Sequence, residues 1–91
     1  MKQWGSPQEK ETKRRINLAV WAYAYEFDHK SLAPDHTFDF ESYCVNLTIT
    51  TNRPDLDAWF VQNFNPCTGM WIHNHPELDK IKSLYERHYK K

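Results

Sequence analysis

Between Ile16 and Phe27 the apolar residues fall into two sets at helical spacing. At about 100° per residue, Ile16, Val20, Tyr23 and Phe27 share one stripe, and Leu18, Trp21, Ala22 and Tyr25 share the opposite one. No Gly or Pro interrupts the stretch, and Ser6-Pro7-Gln8-Glu9 has the form of a capping box with proline at the first helical position. The pattern predicts a first helix from there to about Asp28. Lys10, Glu11, Lys13, Arg14 and Arg15 read as the solvated face of its first half. A helix apolar on two sides needs cover on both, from a second layer of the same small fold or from an outside partner.

Beyond a loop, Asp35 takes the N-cap position of a second helix that continues to about Asn46. Phe40, Tyr43, Cys44 and Leu47 cluster on the side read as core, while Asp35, Phe38 and Asp39 lie largely opposite, read as turned outward. Residues 47–51 are β-branched and short, an extended connection or a single edge strand. Pro54-Asp55 opens a short third helix with Leu56, Trp59, Phe60 and Phe64 at helical spacing, and Asn65-Pro66-Cys67-Thr68-Gly69 is turn chemistry. Pro76 starts a fourth helix with Leu78, Ile81, Tyr85 and His88 on one face and Lys90-Lys91 as its frayed end. The expected class is mainly α: a compact single domain of about four short helices with one short extended segment near 47–51, residues 1–5 fraying at the other end.

Length and composition narrow the function classes. Ninety-one residues hold one domain. Aromatics at 15 % offset a modest 40 % hydrophobic content, since each large ring buries roughly 150–250 Å². Twelve basic and twelve acidic residues cancel, so no global field draws the chain to nucleic acid or an anionic membrane, and basic residues on the first and last helices are interleaved with acids. No apolar run is long enough for a membrane span or a signal core, and two cysteines are too few for a disulfide framework. Cys44 and Cys67 therefore read as reduced thiols in a cytoplasmic protein. Cys67, His73 and His75 lack the paired spacing of a structural zinc site, and no orienting group marks Cys67 as a nucleophile. Met70-Trp71-Ile72 reads as a core plug; if exposed, Trp71 with Trp4 or Trp21 becomes an interface anchor.

The one constellation with a chemical message spans the loop between the first two helices. Tyr25 ends one helix and Phe38 opens the next, with Asp35 and Asp39 beside it. Two rings and two carboxylates suit a flat, cationic, hydroxyl-bearing ligand, because ring faces attract a cation and carboxylates accept from ribose hydroxyls. The plainer alternative leaves Asp35 and Asp39 as helix-capping acids and Phe38 as a surface aromatic.

Tyr23-Ala24-Tyr25-Glu26, a short loop, and Pro34-Asp35-His36-Thr37-Phe38-Asp39 resemble the N-terminal Ia domain of bacterial NAD-dependent DNA ligases. That family ends a helix with Tyr-x-Tyr-His and opens the next with Asp-x-x-Tyr-Asp; the ten positions from Tyr25 to Asp35 agree with it. His75-Pro76-Glu77-Leu78 is similar to a later segment of the family. The likeness covers about a third of the chain, 16–47. It implies a module for the nicotinamide mononucleotide half of NAD, with Tyr25 stacking on the nicotinamide, Phe38 replacing the second tyrosine, and Asp35 and Asp39 holding the ribose. Glu26 stands where the family has a histidine and would lie poorly against a phosphate. No Lys-x-Asp-Gly nucleophile motif occurs, and the chain is too short for an adenylation domain, so the resemblance implies no catalysis. No cofactor is required; NAD or nicotinamide mononucleotide is the expected ligand. The alternative is a protein-binding accessory or inhibitor, in the style of a phage or mobile-element product, docking on a host enzyme such as a nucleotidyltransferase.

Overall fold

The structure, a computed structural model, describes residues 7–51 and 53–88. It is mainly α: four α-helices, α1 (Pro7–Asp28), α2 (Asp35–Cys44), α3 (Pro54–Asn63) and α4 (Leu78–His88), with a 3₁₀ turn at Met70–Asn74 between the last two. The expected Ser6 cap, the interface candidate Trp4 and the frayed ends lie outside the described residues.

The central element is α1, packed by α2, by α4 and by the 3₁₀ turn. Leu18, Ala19, Val20, Ala22 and Ala24 are buried along it, and three alanines let the neighbours approach its backbone closely. Both stripes are thus partly covered from within the fold, although Ile16, Tyr25 and Phe27 remain exposed. Phe60 of α3 joins the core through rings: it lies 5.6 Å from Trp71 and 5.7 Å from Phe64, centroid to centroid. Ile72, Ile81 and Tyr85 complete the core, and the Tyr85 hydroxyl donates to Asp28 at 2.6 Å. The nearby carboxylate pushes that phenol up to about 12. Trp71, 4 % exposed, is a core plug and cannot serve as an interface anchor.

Three expectations are corrected. Glu11 and Arg15 are not part of a solvated face: they are 1 % and 5 % exposed. The Arg15 guanidinium donates to Glu11 (2.9 Å), to Asp57 of α3 (2.8 Å), and to the carbonyls of Asn46 and Ile49 (3.0 and 3.1 Å). A cation with four acceptors is tolerated inside because its donors are used. Second, 47–51 form no strand. The Asn46 side chain accepts from the Thr48 N–H at 3.0 Å and Ile49 N–H closes on the Asn46 carbonyl at 3.1 Å, so the segment turns. Asp57 then takes the Thr51 N–H at 2.8 Å, leaving side chains where a ladder would have been.

Third, α2 is rotated from the expected setting. Phe40 and Tyr43 are 65 % and 66 % exposed, Leu47 beyond the helix is exposed, and Cys44 is half-buried. The inward face carries Phe38 and Ser42, with Val45 just past the helix. Two aromatics at 38 and 40 cannot both face inward on a helix, and the loop from α1 selects Phe38. Helix α2 also ends at Cys44, two residues before Asn46.

Candidate functional site

The end of α1 and the start of α2 border a cavity of about 370 Å³, within the usual range for small-molecule sites. One wall is the α1 face carrying Trp21, Tyr25 and Glu26. The facing wall is Asp35, Phe38 and Asp39 at i, i+3, i+4 on α2, the spacing that puts three side chains on one helical face. The loop at 31–33 and the turn at 67–69 close the remaining sides.

The helix-to-helix loop owes its path to two local devices. Helix α1 ends at Asp28, the next residue, His29, has a left-handed φ of 56°, and Lys30 N–H closes on the Ala24 carbonyl at 3.0 Å. Pro34 takes the cap position of α2, and its carbonyl accepts from Thr37 and Phe38 N–H at 2.9 and 3.0 Å. Asp35 is therefore the first helical residue rather than the N-cap, and no side-chain capping bond is made. Its carboxylate is not consumed by the helix end. Among the described residues neither Asp35 nor Asp39 has a hydrogen-bond or ion-pair partner, and both are exposed.

All five residues expected to bind ligand, Tyr25, Glu26, Asp35, Phe38 and Asp39, line this cavity. Their environments differ. Tyr25 is 62 % exposed, whereas Phe38 is half-buried and packs on the core. The two rings border the cavity without touching one another, unlike Tyr23 and Phe27, which stack at 4.7 Å. Glu26 is engaged from the 3₁₀ turn, where His73 Nε2 lies 2.8 Å from its carboxylate and the imidazole rests 4.7 Å from the Phe27 ring.

Sequence reasoning missed two parts of the lining. Trp21, expected as an interface candidate, is half-buried and lines the cavity one turn before Tyr25, a relation helical spacing already contains. The turn Cys67-Thr68-Gly69 arrives by tertiary packing and leaves no local signal. A Cβ at Gly69 would make ordinary contact with Ala22 Cβ at 3.4 Å and Phe38 Cζ at 3.5 Å, which sets the turn against α1 and α2. Cys67 is exposed, and its thiol lies 3.5 Å from the Tyr43 hydroxyl, a contact that raises the phenol above its ordinary value.

A second cavity of about 190 Å³ lies among α1, α3 and α4, against Ile16, Leu56, Phe60 and Leu84. Its charged neighbours are already paired, Arg15 as above and Arg53 and Lys80 with Glu77. Arg53 holds the Glu77 carboxyl below the usual carboxylate range. Among the described residues no three His, Cys, Asp or Glu side chains group as metal ligands, and no helix is long and apolar enough to cross a membrane. Comparison with protein-family models, curated proteins and solved structures finds no match to this chain.

Proposed function

We propose that this chain is a non-catalytic binding module whose cavity takes a nicotinamide nucleotide or nucleoside. The observation that supports this reading is the convergence of Tyr25, Phe38, Asp35 and Asp39 on one cavity, with both carboxylates unpartnered among the described residues. Ring faces on two helices suit a flat cationic base, and free carboxylates at the start of α2 suit ribose hydroxyls. The resemblance to the ligase Ia domain suggests nicotinamide as the base, and a cavity bordered by these residues supports the reading.

Calorimetric titration with NAD, nicotinamide mononucleotide and nicotinamide riboside tests the reading. Saturable binding of at least one, weakened tenfold or more in both Tyr25→Ala and Asp39→Ala, is expected. Absence of heat with all three overturns it. A second reading, a protein-docking accessory or inhibitor, rests on the exposed rings of Phe40 and Tyr43 on the outer face of α2. It is favoured if a stoichiometric protein partner co-purifies and Phe40→Ser releases it while no nicotinamide compound binds.

A further inference from the structure

Three carboxylates, those of Glu26, Asp35 and Asp39, line the cavity, and no lysine or arginine does so among the described residues. The feature that would favour an anion is the start of α2, because helix N-termini carry partial positive charge. That feature is offset only in part, since the Asp35 and His36 N–H groups have no partner among the described residues. Asp35 sits in the first turn, and the Thr37 and Phe38 N–H groups donate to the Pro34 carbonyl rather than toward a ligand. His73 engages Glu26, which leaves Asp35 and Asp39 as the unscreened charges.

We infer that the cavity selects the dephosphorylated, net-cationic form of its ligand, nicotinamide riboside, and discriminates against the mononucleotide and NAD. The inference rests on the nicotinamide reading and deepens it. The riboside carries a single positive charge, which the aromatic faces and the carboxylates attract together. The mononucleotide adds a phosphate of roughly −1.5 to −2 charge near neutral pH, and a ligand that fills a cavity this size keeps that phosphate within a Debye length of about 8 Å of Asp35 and Asp39. The hydroxyls that those carboxylates accept from are common to both compounds, so the phosphate supplies the discrimination.

The test is the ratio of affinities of the full chain for nicotinamide riboside and nicotinamide mononucleotide, measured by calorimetry at low salt and at about 0.5 M salt. The riboside is expected to bind at least tenfold more tightly at low salt, and the ratio is expected to shrink as salt screens the carboxylates. The double variant Asp35→Asn, Asp39→Asn keeps side-chain size at two exposed positions, and circular dichroism checks its fold. In it the ratio is expected to fall to about threefold or less. Equal affinities, or tighter binding of the mononucleotide, would overturn the selectivity while leaving the nicotinamide reading intact. A ratio unmoved by salt and by the double variant overturns the electrostatic cause. Failure of every compound to bind overturns the nicotinamide reading and the selectivity with it.

Discussion

Arg15 joins three regions through one planar group: α1 through Glu11, α3 through Asp57, and the connecting turn through two carbonyls. Removing one partner of a buried pair leaves the other charge uncompensated, so Arg15→Ala is expected to cost about 3–5 kcal/mol in urea unfolding. Arg53→Ala, which removes a half-exposed guanidinium, is expected to leave the midpoint nearly unmoved. His75 provides the pH dependence. It is 8 % exposed, lies 5.0 Å from the Trp59 ring, and its Nδ1 accepts from Glu77 N–H at 3.0 Å. Burial lowers its pKa from 6.5, so as pH falls through that value the unfolded chain takes up a proton that the folded chain still refuses. Stability is expected to be level above this range and to fall below it until the lowered folded value is passed. Urea midpoints between pH 7.5 and 5 check this, and His75→Gln is expected to flatten the profile.

At the scale of elements, the helix boundaries were largely legible because prolines and acids announce them. Pro7, Pro54 and the polar turns place α1 and α3 within a residue or two. The set Asp35, Phe38, Asp39 was legible as one face of α2, and that face does meet the cavity. Which way α2 turns was not legible. The run Phe38-Asp39-Phe40-Glu41-Ser42-Tyr43-Cys44 offers no single apolar stripe, so the larger cluster at 40, 43 and 44 is misleading and a serine is buried instead. Likewise, nothing local distinguishes Glu11 and Arg15 from their exposed neighbours; their burial follows from Asp57, forty-odd positions away. Among the described residues the Ser42 hydroxyl finds no partner. An unsatisfied buried hydroxyl costs free energy, so Ser42→Ala is expected to be neutral or to stabilise by about 1 kcal/mol, seen as a higher melting temperature.

The whole molecule is small, with a Cα radius of gyration of 12.9 Å, near the ~12–13 Å expected of a folded chain this long. Such a domain has a narrow stability margin, of order 5–15 kcal/mol, and its cavity belongs to that balance. The walls come from α1, the loop at 31–33, α2 and the turn at 67–69, stretches that only the finished fold assembles. On the nicotinamide reading, ligand at a hundred times its Kd adds about 2.7 kcal/mol, so a melting rise of about 14 °C is expected in a thermal scan. Occupancy and foldedness are then a single equilibrium. In a living cell the standing amount of this protein would follow the supply of what it holds, because chains left empty open more often and are the share that proteases clear first.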